Sequence, residues 1–456
     1  AYDRGDAGPR YICANASCVP GDCHTDGDCS GGALACVNDT CTACDGVTNG
    51  TYYVDPNGGS DSTTSTGSNT AGGQARAFCA FKTITYALTV IGAPSTSTKI
   101  VVLGPATVFA GESFPLNVPQ NVVIEGQGAV TVDVPARQTA DAGPAAADGF
   151  VLQHAASGLQ SLTIDGQSLG GAAGVLVETG SAASTYLENV TVQNFATGDG
   201  VQVTGAGVVT LDEGVTLTNN VVGLSLSGTG SASSANVNQA NPLAFTHNTQ
   251  DGVLVADSAS LSFAGSAGTG GVGSILASQN GSGFVMTQAG PGINMPPSLL
   301  TGVAAWKNSL DGLDLQGGSR VKVRQSFVGG NLTGVEVRTS TVTSSNDTGY
   351  IDLGTAADFG ANTLQSLAPA DGGVNAQNTN AGVCFQILPN SSQTLSAEGN
   401  VWVNAAGSAP IDCAGSSPGL LSRSIACAAG VDVGGSGVQL IGGAGKNTTD
   451  VNNCSL

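Results

Sequence analysis

Positive charge is nearly missing from the middle of this chain: no Lys or Arg lies between Gln138 and Trp306. Over 456 residues there are 13 basic groups against 33 acidic ones, a formal net charge of −20, and only 10% of residues are charged. The usual charged share is about 25%. This balance disfavours nucleic acid and anionic membrane as partners, because phosphates are held by Lys and Arg. Aromatics are scarce too, with Trp306 and Trp402 the two Trp, so a sugar cleft lined by aromatic platforms has little to be built from. No apolar run of about 18 residues occurs, which leaves no membrane-spanning helix to expect. Long segments of helical period are absent, which removes helical repeats. The 68 Gly carry no Gly-X-Y period, so collagen is excluded. Disorder fits poorly as well, because Val, Leu and Ile recur in short alternating runs.

Cysteine, by contrast, is plentiful. Cys13, Cys18, Cys23, Cys29, Cys36, Cys41 and Cys44 crowd the N-terminus, Cys79 stands alone, and Cys384, Cys413, Cys427 and Cys454 follow late. An even total points to disulfides and an oxidising compartment. Seven is odd, so one N-terminal Cys must pair outside its group, and Cys79 is nearest. Zinc is the rival reading, but the spacings are irregular where zinc sites repeat a short pattern. The chain begins with Ala and shows no apolar leader, which reads as a processed, exported chain: secreted, extracellular or at the cell surface.

Three regions follow. Residues 1–50 are too poor in apolar side chains for a core and form a Cys-rich disulfide module. Residues 51–405 carry the repeat. FKTITYALTVIGA at 81–93 reads as a short amphipathic helix with Ile84, Ala87, Leu88 and Ile91 on one face, suited to covering an open sheet end. Beyond it, Gly followed by apolar-x-apolar recurs at residues 149, 174, 200, 223, 252, 283, 312 and 334. Asn194, Asn219, Asn248, Asn280, Asn308 and Asn331 precede most of these Gly and are expected to form turn ladders between coils. Short strands at this period mean a solenoid, and the alternation of two makes it a parallel β-helix with x pointing outward. Residues 406–456 are expected to cover the last coil as a disulfide-bonded cap.

YYVDPNGGSDS at 52–62, followed by FKTITYAL at 81–88, resembles the opening of bacterial right-handed parallel β-helix proteins of the pectin-lyase-like superfamily. YIDLGTAADFGANTLQSL at 350–367 and SSQTLSAEGNVWVN at 391–404 are similar to that family's C-terminal coils. CVPGDCHTDGDCSGGALACVNDTCTAC resembles the small Cys-rich modules of exported myxobacterial proteins. The resemblance implies an all-β fold, a right-handed parallel β-helix with an N-terminal capping helix. It also implies, by analogy, activity on acidic polysaccharides. Lyases of that fold use Ca²⁺ and a basic residue; hydrolases use Asp residues close together.

Searching for such chemistry gives one constellation. No Asp-Asp pair occurs, and His24, His154 and His247 lie far apart, with His154 and His247 read as turn or surface residues. Aligning the repeats stacks the outward x positions Val151, Leu176, Gln202, Ser225, Leu254, Val285, Asp314 and Glu336. Asp314 and Glu336 become neighbours, with Asp311, Arg320, Lys322, Arg324 and Arg338 nearby. The group could bind a ligand, hold Ca²⁺ or do acid–base work, or form a solvated ion-pair ladder. Asp148, Asp199, Asp251 and Asp311 each precede a repeat Gly, which is ordinary turn chemistry. Asp55, Asn57 and Asp61 could wrap a cation or make Asx turns. Arg4-Gly5-Asp6 matches an adhesion tripeptide, and Asn189, Asn331 and Asn447 lie in glycosylation-type triplets. No cofactor is expected, Ca²⁺ being the one candidate.

The expectation is a non-enzymatic structural β-helix protein: an adhesin, a matrix component or a filament subunit. A homo-oligomer or an extracellular polysaccharide is the partner to expect. The alternatives are a polysaccharide lyase or hydrolase and a non-catalytic glycan-binding rod.

Overall fold

The computed structural model describes residues 34–365, apart from 63–64, 109–110, 136–148, 153–154, 169–171, 179–184, 267–272, 288–296, 339–349 and 356. It also describes parts of 11–29, Asn400, and the backbone of 381–387, 401–403 and 438–442. Arg4-Gly5-Asp6, Asp148, His24, His154, Cys413, Cys427, Cys454 and most of the expected C-terminal cap lie outside these residues.

Three long parallel sheets, each of eleven strands among the described residues, make a right-handed parallel β-helix. Each coil visits the sheets in turn. The strand Val122–Gln127 lies in one, Val130–Asp133 in a second and Phe150–Leu152 in a third; Gly158–Gln160 then returns to the first. We call these sheets D, E and F. At about 4.8 Å per strand, eleven strands span roughly 48 Å. The Gly-apolar-x-apolar repeats all fall in sheet F. Their register links Asn117, Val151, Leu176, Gln202, Ser225, Leu254, Val285, Asp314, Glu336, Cys384 and Gln439 in one column. The residues on either side point inward: Val201, Val203, Leu224, Leu226, Val253 and Val255 are completely buried. The interior is a continuous apolar column, with Phe245 stacked on Phe263 at 5.8 Å.

The corner between sheets E and F explains why Asn and Gly recur together. Asn220, Asn248, Asn280, Asn308 and Asn331 are all at least 98% buried and stand above one another. Each Oδ1 accepts the backbone N–H of the equivalent residue one coil before, from Phe195 (to Asn220) through Asn308 (to Asn331). Each Nδ2 donates to a carbonyl of the preceding coil: Val192, Leu217, Phe245, Ala277 and Ala305. The repeat Gly is the space these amides occupy. A Cβ on Gly200 would stand 2.8 Å from Asn220 Nδ2 and 2.7 Å from the Gly223 carbonyl oxygen. On Gly252 the distances would be 2.9 Å to Asn280 Nδ2 and 2.7 Å to the Gly283 oxygen.

Two expected ladder members are corrected. Asn194 and Asn219 are not in the ladder; Phe195 and Asn220, one residue later, hold those places. Asn194, Asn219, His247, Gln279 and Lys307 form the preceding column, at φ 64, 57, 57, 58 and 56. That left-handed bend turns the chain so that the next side chain faces inward, and Asn tolerates it well. His247 is therefore an exposed turn residue, as its sequence context indicated. A second, shorter ladder at the sheet D–E corner joins Ser326, Asn362 and Asn400.

The helix is shorter than 81–93, running Ile84–Ile91. Ile84 and Ala87 are buried, and Leu88 and Ile91 pack on the core beside the first strands of sheets D and F. It therefore covers the open end. Thr83 caps it, accepting from Tyr86 N. Its own first turn carries no acid; two distant carboxylates supply the negative charge. Asp61 accepts from Lys82 N, Thr83 N and Thr83 Oγ1, and Glu112 accepts from Ile84 N and Thr85 N. Asp55 Oδ1 accepts from Asn57 N and Gly58 N, so the opening stretch makes Asx turns. Three disulfides hold the N-terminal region among the described residues, including Cys44–Cys79, the pairing that parity pointed to.

Replacing Asn280 by Ala strands the Asn248 amide and the Phe245 carbonyl inside the core. The urea midpoint should fall by the equivalent of about 2–4 kcal/mol, since each buried orphan costs about 1–3 kcal/mol. Gln127→Ala, at an exposed strand end, should stay within about 0.5 kcal/mol.

Candidate functional site

Sheet F gathers the acidic residues that the sequence scattered. Asp199, Asp251 and Asp311 each begin a strand, in Asp199–Val203, Asp251–Ala256 and Asp311–Gln316, and occur on alternate coils of one column. Asp314 and Glu336 are register partners on adjacent coils, as expected. They are not a solvated ladder, however. Asp314 is 95% buried and Asp311 92% buried, so their charges stand largely out of water. Arg338 bridges the pair: it binds Asp314 through Nε at 3.2 Å and through the terminal nitrogen, and approaches Glu336 Oε1 at 3.6 Å.

One guanidinium thus faces three carboxyl groups. Burial, then the neighbouring Glu336 and Asp314, push the Asp311 carboxyl well above the ordinary carboxylate range, and it shares a hydrogen bond with Glu336. Burial also pushes Asp314 up, against the pull of Arg338. For Arg338, burial works against the charge, but Asp314, Glu336 and Asp311 outweigh it and the guanidinium is held more firmly protonated. Asp199 is pushed up to about 6 by burial, despite a hydrogen bond from Ser225. Asp251 also rises to about 6, through burial and then the charges of Asp314 and Asp199. The column is therefore a set of proton-holding carboxyls, able to exchange protons near neutral pH.

Arg320, Lys322 and Arg324 do not join this site. After Gln316 the chain turns through Gly317 and Gly318 onto sheet D, so the strand Val321–Arg324 lies on a different face. There Arg324 binds Asp352 at 2.6 Å and Asp358 at 3.1 Å, Lys322 binds Asp358, and Arg320 lies 5.5 Å from the Tyr350 ring. Hydrogen bonds from Arg324 and Lys322 hold Asp358 down at about 2. Asp352 and Asp358 escaped the sequence reading because they belong to an irregular stretch with no period. The acid column itself was visible as Asp-Gly pairs, but turn chemistry explained each pair alone. Burial is what distinguishes them.

Among the described residues, the one cluster with metal-ligand spacing is Cys23, Cys29 and Cys41, and all three are disulfide-bonded. Among the described residues, no helix is long and apolar enough to cross a membrane. No family model, curated protein or solved structure matches the chain.

The carboxyl column makes a signed prediction. Asp199 and Asp251 titrate at about 6 when folded, against an ordinary value of 3.8. The folded chain therefore binds more protons at these two sites, and the stability they contribute is fully present below about pH 4 and is lost as pH rises through 6. Asp358, shifted the other way, weakens the fold only at still lower pH. Thermal melts from pH 4 to 7 should show a falling Tm, and Asp251→Asn should flatten that slope. A Tm that rises with pH over this window would contradict the assignment.

Proposed function

We propose that the protein is an extracellular structural rod, serving as an adhesin, matrix component or filament subunit, and that it belongs with the pectin-lyase-like β-helix proteins. The observation that carries this reading is the outer face of sheet E. Thr107, Thr131, Thr163, Thr191 and Thr216 stand in register there, one per coil, all at least partly exposed. This ladder of hydroxyls and methyls, with Asp133, Asp165 and Gln193 on the next outward column of the same face, suits lateral packing against copies or against another ordered polymer. The basic groups of the 307–338 stretch are not kept open for a substrate. Of the five between Lys307 and Arg338, three make ion pairs and two lie over aromatic rings. Three disulfides favour an oxidising, external compartment. The capping helix blocks strand addition at the N-terminal end, so assembly would run through the flanks rather than through that edge.

A second reading, a polysaccharide-active or glycan-binding rod, is favoured by the proton-holding carboxyls of sheet F. Asp251 and Asp311 are two coils apart, about 9–10 Å by strand spacing, close to the separation that inverting glycosidases use.

Electron microscopy with light scattering separates the two. The structural reading predicts ordered assemblies that disperse when Thr163 and Thr191 are both replaced by Lys. Isolated rods, together with polysaccharide cleavage abolished by Asp311→Asn, would replace it with the second reading.

A further inference from the structure

Two disulfides of the N-terminal module lie directly against each other. Cys23 is bonded to Cys36 and Cys29 to Cys41, yet the sulfurs of Cys23, Cys29 and Cys41 are all within 4.8 Å of one another. A sulfur of one bond is thus a near neighbour of both sulfurs in the other. The hairpin Leu34–Val37 and Thr40–Ala43 adds a second relation. Asn38 and Asp39, at φ 49 and 62, make its two-residue turn. The resulting register places Cys36 directly opposite Cys41. Opposed residues have Cα atoms about 4.5–5.5 Å apart, within the roughly 4.4–6.8 Å that a disulfide spans. Every one of the four cysteines therefore has a second partner in place: Cys29 for Cys23, and Cys41 for Cys36. Access is unequal. Cys23 is fully buried and Cys36 is 9% exposed, whereas Cys29 and Cys41 are half-buried.

We propose that this disulfide pair is a thiol-exchange site, entered by a small-molecule thiol at Cys29–Cys41, which switches the module between two pairings. The thiolate attacks Cys41 Sγ; the Cys29–Cys41 bond breaks and its electron pair leaves on Cys29. The Cys29 thiolate attacks Cys23 Sγ, forming Cys23–Cys29 and expelling the Cys36 thiolate. Cys36 then attacks Cys41 Sγ in the mixed disulfide, forming Cys36–Cys41 and returning the small thiolate. Two protein disulfides exist before and after, so nothing is oxidised or reduced overall. The consequence is mechanical. In the first pairing both bonds fasten the 23–29 segment to the hairpin. In the second each bond closes a local loop, and Cys23 keeps only its backbone hydrogen bond to Asp39 O as a tie to the hairpin. Cys44–Cys79 keeps the hairpin on the rod in both states.

The test uses the full oxidised chain with a reduced and oxidised glutathione mixture at mildly alkaline pH, quenched by acid and alkylated. Cleavage before Asp28, Leu34 and Asp39 separates all four cysteines for mass spectrometry. The expected result is a population linked Cys23–Cys29 and Cys36–Cys41, growing with thiol concentration while Cys44–Cys79 stays intact. Persistence of the original pairing alone would overturn the proposal, as would a glutathione adduct at Cys41 without re-pairing. Exchange of Cys44–Cys79 at the same rate would also overturn it, because general opening of the module would then explain the result.

Discussion

The rod depends on one contact repeated from coil to coil: the carboxamide of a buried Asn set into the space left by a Gly. The corner between sheets E and F must turn the chain sharply, and a sharp turn leaves backbone N–H and C=O groups inside the protein. Left unpaired, each would cost about 1–3 kcal/mol. The Asn from Asn220 to Asn331 satisfy both kinds, donating to one strand carbonyl and accepting from one turn amide. They reach those groups only because Gly200, Gly252 and their equivalents have no side chain. Register follows from this arrangement, since a slipped coil would bury an amide against a strand instead of a Gly. The apolar column supplies most of the burial, but branched aliphatic residues alone would tolerate slippage.

Much of this was legible in the sequence. Period-two alternation after each Gly gave the strands of sheet F and the outward column residue by residue, from Val151 to Glu336. The strands of sheets D and E were harder to place, because their lengths vary and small polar residues such as those of Ser231–Ser234 carry little pattern. Asn219 and Asn220 illustrate the limit of a pattern: both are Asn in the right turn, and only the backbone bend decides which one faces inward. The capping helix was readable from its apolar face, but its partners Asp61 and Glu112 were not, since contacts 22 to 28 residues away leave no local signal.

The candidate site shows the same division. Stacking of Asp314 on Glu336 followed from the repeat, whereas its environment did not. A sequence alignment treats position x as outward and therefore wet; in the fold, Asp314 and Asp311 are buried, and their chemistry changes with the loss of water. Arg320, Lys322 and Arg324 looked close because they are close along the chain. In a β-helix, however, ten residues are enough to cross a corner onto another sheet, while residues 22 to 31 apart become neighbours.

The Asn ladder is the element that fixes the coils, and residue-resolved hydrogen exchange tests that most directly. The amides of Asn220, Asn248, Asn280 and Asn308 sit in turns, where exchange is ordinarily fast. If Asn side chains lock the corner, these amides should exchange as slowly as those of the core strands, such as Val253 and Leu313. Exchange at the rate of exposed turns would contradict the account and leave the apolar column as the sole determinant of register.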